Sequence, residues 1–229
     1  MPPVLTIAWF PPVEYFALLA RYSSVYVEAC ENYQKQSYRN RCHIYAENGR
    51  QSLNFPVVHR GGTFSLPIRE IEVDYSTPWV AKTERCIETA YRSSAFFDYY
   101  RDALFAILDE QPPTLWELDM KIIRFFLDKI GLRTELVPTE SFAAEHVDIH
   151  PKRPNAILQE LGADRPYYQV FSDRHGFLPN LSVMDLLFNE GPASLDLIGS
   201  RCKTGPASAV LQPRGSLEVA SRIPPAGGK

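Results

Sequence analysis

The stretch from Val4 to Ala29 narrows the possible folds more than any other part of the chain. Val4–Phe10 is an apolar run of strand length that stops at Pro11-Pro12, where two missing N–H groups end any ladder. Val13–Arg21 then places Tyr15, Phe16, Leu18 and Leu19 on the apolar side of a short helix. Ser24–Ala29 reads as a second strand. Strand, short helix and strand in this order make a βαβ-like opening, so the first two strands are expected to lie parallel and adjacent. Ligands of parallel sheets bind beyond the carboxyl ends of the strands. Here those ends are Trp9-Phe10-Pro11 and Glu28–Glu31.

Further along, Asn48-Gly49 marks a hairpin turn between Cys42–Ala46 and Ser52–Val58. Gly61-Gly62 reads as a loop. Ile71, Val73 and Tyr75 alternate with Glu70, Glu72 and Asp74, which predicts a half-exposed strand over Ile68–Tyr75. The centre turns helical: Thr77-Pro78 opens a helix to about Tyr91, and Phe97, Tyr100, Leu104 and Leu108 mark the next. Thr114-Leu115-Trp116-Glu117 is a capping box that starts a third helix, stopped at Gly131. Its apolar stripe is Leu115, Leu118, Ile122, Phe125, Phe126 and Ile130. Strands are expected at Thr134–Pro138 and Tyr167–Phe171, with a short helix at Pro154–Leu161. Ser182-x-x-Asp185 caps a last helix that runs to about Glu190 and stops at Gly191-Pro192. The fold class is therefore α/β: a mixed sheet with a parallel start, an antiparallel hairpin and packed helices. An α+β arrangement with a separate helical half is the alternative.

Of 229 residues, 45% are hydrophobic, which suffices for one packed domain, assigned to residues 1–200. Residues 201–229 are rich in Gly, Pro, Ser and Ala without periodicity and read as a loosely ordered tail. A net charge of −3 argues against a surface that grips nucleic acid as a whole and leaves a local basic patch open. No apolar stretch approaches the roughly 20 residues of a membrane span, and no basic leader precedes the first strand. Cys30, Cys42, Cys86 and Cys202 form no CxxC pair. Together these features predict a protein of the reducing cytoplasm.

The chemistry concentrates in Glu28–Ile44, EACENYQKQSYRNRCHI. If its second half is extended, Lys35, Ser37, Arg39, Arg41 and His43 share one face, and guanidinium forks there suit a carboxylate or phosphate. A solvated edge strand, or neutralisation by the acidic face of Ile68–Tyr75, accounts for the same row. Asn40 falls on the opposite face, and its amide is expected to bond a neighbouring backbone or the helix near Asn180–Asp185. Glu28 and Glu31 are the candidate catalytic pair, able to deprotonate or orient a substrate amine, or to form a salt bridge with Arg39 or Arg41. His146-x-Asp148-x-His150 has a metal-ligand look, but the spacing is unspecific and Pro151-Lys152-Arg153 sets cations beside it. No metal is assigned; His150, Lys152 and Arg153 read better as a second anion patch. Cys42, next to His43, and Cys30 are nucleophile candidates, against the commoner state of buried structural cysteine. Ser182 and Asp185 are explained by helix capping. No signature points to a particular cofactor.

These blocks together resemble the WbqC-like family. The resemblance rests on the opening strand with Pro-Pro and Tyr-Phe, on YQKQSYRNRCHI, LNFPVV and IREIEVDYSTPW, and on GFLPNLSVMDLLFNEGP. It covers residues 4 to about 195, and the YQKQSYRNR and HPKRP wording is closest to the family's Bacteroidetes-type branch. It implies a cytoplasmic transferase of a glycyl-like aminoacyl or acyl group onto an amino sugar, in O-antigen-type surface polysaccharide synthesis. By motif position it implies substrate contacts from Tyr33, Lys35, Arg39, Asn40 and Arg41, and from Asn180, Asp185 and Asn189. Family members often carry Gln-Pro after strand one and Asp after strand two. Trp9-Phe10-Pro11 and Glu28 stand there instead, which shifts those roles toward Glu28 and Glu31. The implied partner is a small anionic or nucleotide-sugar substrate. A non-catalytic module that binds an anionic ligand or a partner protein is the alternative.

Overall fold

The computed structural model describes residues 2–59, 65–150 and 165–200. The expected Gly61-Gly62 loop, the Pro154–Leu161 helix, Lys152, Arg153 and the 201–229 tail lie outside the described residues. The chain is a mixed α/β fold. Strand β1 (Val4–Thr6) leads through helix α1 (Val13–Leu19) to β2 (Ser24–Glu28), and the two strands pair in parallel with Val4 beside Tyr26. Strand β5 (Glu135–Pro138) joins the other edge of β2, also parallel, in the order β1-β2-β5. On the free side of β1, Val147 adds a parallel bridge to Leu5. Strand β1 is shorter than the apolar run implied. Residues Ile7–Phe10 stay buried, but Trp9 N–H donates to the Tyr38 carbonyl at 2.8 Å and Phe10 sits at φ 43°.

The hairpin pairs β3 (Arg41–Ala46) with β4 (Gly49–Asn54), Ala46 opposite Gly49. The loop is thus Glu47-Asn48, and Gly49 at φ 96° takes the first position of β4, three residues before the expected start. Only glycine holds that backbone without strain.

Helices α2 (Trp79–Tyr91), α3 (Phe97–Asp109) and α4 (Leu115–Ile130) follow the 3.6-residue spacing of their apolar side chains. Thr114 Oγ1 accepts from Glu117 N–H at 3.2 Å, and Gly131 closes α4 at φ 86°. In α2, by contrast, Pro78 rather than Thr77 stands at the cap, with no side-chain hydrogen bond. The core cluster joins β1, α1, the hairpin and the helices.

Three expected elements differ. Ile68–Tyr75 is no strand: Ile68–Glu70 is a 3-10 turn, followed by isolated bridges from Val73 to Val57 and from Glu72 to Thr114. The alternation was a true signal of burial, since Ile71 and Val73 are buried and Glu70 and Glu72 exposed. No single strand runs alongside, however, because the segment passes from the exit of β4 to the cap of α4. Tyr167–Phe171 also forms no ladder. Gln169 replaces one, taking Leu178 N–H at 2.9 Å and giving its amide to the Leu178 carbonyl at 3.0 Å. After the short helix α5 (Ser172–His175), α6 (Val183–Glu190) is not the last helix. Pro192 opens a 3-10 turn, Gly191–Ala193, which runs into α7 (Ser194–Ser200), a starting role that proline's fixed φ permits. Among the described residues no helix is long and apolar enough to cross a membrane.

Candidate functional site

Glu28–Glu31 leaves the carboxyl end of β2 and meets two other chain segments there. Glu28 has no exposed surface. Its Oε1 accepts from Cys30 N–H at 2.7 Å and Thr139 Oγ1 at 3.0 Å, and its Oε2 accepts from Ala143 N–H at 2.7 Å. Glu28 thereby joins the ends of β2 and β5 and holds the loop that leads toward His146.

Residues 35–40 are turned, not extended, with Gln36 at φ 58°. The single cationic face expected from Lys35 to His43 is therefore absent: Lys35 is exposed, Ser37 and Arg39 are buried, and only Arg41 and His43 lie on β3. The reason is the burial of Arg39. A guanidinium with no exposed surface needs a carboxylate, and the turn brings Glu31, eight residues upstream, into range. Arg39 Nε and Nη2 donate to the two Glu31 oxygens at 2.8 and 2.5 Å, a bidentate pair. Arg39 Nη2 also reaches Asp148 Oδ1 at 3.4 Å, while Nη1 meets no acceptor among the described residues. Burial pushes the Glu31 carboxyl up, and the hydrogen bonds and charge of Arg39 pull it back only in part. The backbone carbonyl of Glu31 accepts from Ile68 N–H at 2.7 Å.

His146 completes the cluster. Its Nδ1 lies 2.7 Å from the Ala143 carbonyl, which can only accept, so that nitrogen carries a proton. The other nitrogen, Nε2, lies 3.9 Å from Glu31 Oε2. Residues placed in a possible metal motif thus serve an ion-pair network at the edge of the sheet. Among the described residues no group of three His, Cys, Asp or Glu side chains is placed to hold a metal ion.

Arg41 is half-buried, with its Nε enclosed and unpaired among the described residues. Tyr33 is buried, and its hydroxyl is pushed up to about 12 by burial, against the pull of Arg39 and Arg41. His43 is held near 4, hence neutral at physiological pH, by burial and by the charges of Arg50 and Arg41. Cys42 is fully buried on β3 and its thiol is pushed up by that burial, which leaves it protonated. Asn40 Nδ2 donates to the Phe55 carbonyl at 2.9 Å and its own carbonyl accepts from Phe55 N–H at 3.3 Å, so it fastens the turn to the exit of β4. His150 is half-buried at the end of the described segment.

The C-terminal block stands apart from this cluster. Asn180, at φ 53°, accepts Glu14 N–H on its Oδ1 at 3.2 Å, capping α1 where Pro12 has no side chain to do so. Ser182 N–H donates to the His43 carbonyl and Val183 N–H to the Pro11 carbonyl, both at 2.8 Å. Asp185 is more than a capping residue: it is buried, and its Oδ2 accepts from Tyr167 Oη at 2.6 Å and Gln169 Nε2 at 2.8 Å. Burial raises its carboxyl to about 6, against those hydrogen bonds. Asn189 Nδ2 donates to the Asp185 carbonyl at 2.8 Å. Asn180 thus ties its segment to α1, Asp185 ties α6 to the 165–178 segment, and the Ser182 N–H joins the start of α6 to the hairpin.

Sequence reasoning missed Asp119, a fully buried carboxyl on α4 with neither oxygen hydrogen-bonded among the described residues. A signal was present. Asp119 lies four residues after Leu115 and three before Ile122, inside the apolar stripe, where a charged side chain is out of place.

Comparison with known proteins matches residues 8–170 to the model of the WbqC-like protein family. The chain is also 27% identical, over 215 residues, to the uncharacterized protein Rv1507c of Mycobacterium tuberculosis, covering 80% of this chain and 91% of that protein. No solved structure matches. The chain belongs to the WbqC-like protein family.

Proposed function

Proceeding from that membership, we propose that the chain is a cytoplasmic transferase that moves an acyl or glycyl-like aminoacyl group onto the amine of an amino sugar during surface polysaccharide synthesis. The observation that carries this reading is the buried Glu31–Arg39 pair at the carboxyl edge of the parallel sheet, flanked by Asp148 and His146. Such edges are where parallel sheets bind ligands. Nη1 of Arg39 and Nε of Arg41 are enclosed donors that a phosphate or carboxylate would satisfy. An amine that attacks an acyl donor must lose a proton, and Glu31, raised by burial, is the group suited to receive it. Glu28 supports the site by position, since its oxygens already accept three hydrogen bonds.

A second reading, a non-catalytic module for an anionic ligand, is favoured by the extent to which Glu28, Asn180, Asp185 and Asn189 are spent on internal hydrogen bonds. Calorimetry with a nucleotide-linked amino sugar tests the shared claim. Binding is expected, weakened about tenfold or more in Arg41→Ala. Absence of binding, or unchanged binding in the variant, overturns both readings. Incubation with cell extract and mass spectrometry of the sugar then separates them: an acylated product that disappears with Glu31→Gln supports the transferase, and an unmodified bound sugar supports the module.

A further inference from the structure

A proton received by Glu31 has nowhere to go from Glu31 alone, because that side chain is only 2% exposed. Both its oxygens also accept from Arg39, and a protonated Glu31 leaves the buried guanidinium short of counter-charge. A base so placed needs neighbours that relieve it. Asp148 Oδ1, 3.4 Å from Arg39 Nη2, supplies negative charge while Glu31 is neutral. His146 supplies the way out: its Nε2 lies 3.9 Å from Glu31 Oε2, and its side chain is 13% exposed.

The imidazole is fixed from both directions along the chain. On one side Glu28 Oε2 accepts from Ala143 N–H at 2.7 Å, and the Ala143 carbonyl accepts from His146 Nδ1 at 2.7 Å. On the other side Val147 is paired to β1, its N–H donating to the Val4 carbonyl at 2.7 Å and its carbonyl accepting from Thr6 N–H at 3.2 Å. The Phe142 ring meets the imidazole at 74°, with the ring centroids 5.8 Å apart. With Nδ1–H committed to a carbonyl, the neutral ring carries its lone pair on Nε2, the nitrogen beside Glu31. Packing alone would accept either tautomer. A lone pair held opposite a buried carboxyl is what a proton route requires.

We infer that His146 is a proton relay for Glu31 and that Glu28 positions it by holding Ala143. This rests on the transferase reading above and deepens it by giving the path of the proton. The amine nitrogen bonds to the acyl carbon of an ester or thioester donor, and the bond to the leaving oxygen or sulfur breaks with its electron pair. The proton lost by the nitrogen goes to Glu31 and from there to His146 Nε2, across a contact that tightens when substrate is bound. Glu31 regains its charge beside Arg39. The imidazolium then gives the proton from Nε2 to the leaving atom or to water.

The tautomer is read by nitrogen-15 NMR of the full chain at about pH 9, well above the ordinary histidine value. The His146 signal is the one that disappears in His146→Asn. Neutral His146 is expected to be protonated on Nδ1, and protonation on Nε2 overturns the inference. Kinetics with UDP-glucosamine and cell extract test the relay itself. Asparagine keeps a donor for the Ala143 carbonyl and removes the lone pair that faces Glu31. His146→Asn should therefore keep the wild-type melting temperature and its affinity for UDP-glucosamine, while acylated product forms about 100-fold more slowly. Free imidazole should restore part of that rate, because it replaces the lost base. If His146→Asn melts well below wild type, the same comparison is made in His146→Gln. Product at the wild-type rate, or a loss that imidazole does not repair, overturns the relay and leaves the transferase standing. If wild type itself makes no product, the transferase reading falls and the relay with it.

Discussion

Asp119 offers a direct stability experiment. Its carboxyl is fully buried in the apolar stripe of α4, and no donor among the described residues reaches either oxygen. An unsatisfied buried polar group destabilises a fold by about 1–3 kcal/mol. Burial also raises its folded pKa well above the unfolded value, with nothing opposing the shift. The folded state therefore holds this proton more tightly than the unfolded state does. Its contribution to stability is fully present below the unfolded pKa, falls as pH rises toward the folded pKa, and stays low above it. Asp119→Leu removes both penalties and fills the site with apolar atoms, and Asp119→Asn removes the titration alone. Both variants should be more stable than wild type at neutral pH, leucine by about 1–3 kcal/mol. For a chain of this length that is about 2–4 °C in Tm per kcal/mol. The advantage over wild type should widen by up to about 1.4 kcal/mol per pH unit between the two pKa values. Urea titrations at a series of pH values, followed by tryptophan fluorescence and circular dichroism, measure it. Destabilisation by Asp119→Leu at neutral pH, or a difference independent of pH, would falsify the reasoning, because it would mean that Asp119 has a partner in the folded chain.

Other substitutions probe the framework. Arg39→Ala leaves Glu31 buried without its guanidinium and should destabilise by about 3–5 kcal/mol; urea unfolding that moves by less than 1 kcal/mol would place the pair in solvent. Tyr167→Phe deletes the 2.6 Å hydrogen bond to Asp185 and is expected to lower stability by about 1–3 kcal/mol, whereas Tyr168→Phe, at an exposed neighbour, should be silent in the same assay. Gly191→Ala puts a Cβ 2.5 Å from the Phe96 ring at a φ of 54°. A loss of about 1–3 kcal/mol from overpacking is expected in thermal unfolding, and a wild-type Tm would show that Phe96 moves aside freely.

Much of the architecture is written in local sequence. The Pro-Pro stop, the helical spacing of Tyr15, Phe16, Leu18 and Leu19 and the apolar run at Ser24–Ala29 specify a parallel opening, because each signal depends only on neighbours along the chain. The same holds for α4, where the Thr114 cap and the left-handed Gly131 bound the helix. Sequence also located the charged segment at the carboxyl edge of the sheet. What it left open was which polar groups face one another. Alternation at 68–75 reported burial correctly but could not report whether a partner strand was present. Arg39 and Lys35 look alike in a row of cations, yet one is enclosed against Glu31 and the other is exposed, because a turn at Gln36 breaks the period. Asn180 and Asp185 carry motif-like spacing, and tertiary structure makes one a cap for a helix 166 residues away and the other an anchor for Tyr167 and Gln169. Periodicity states how much of a residue is buried. Pairing of polar groups is decided by which distant segments the packed core brings together, and only the tertiary structure contains that.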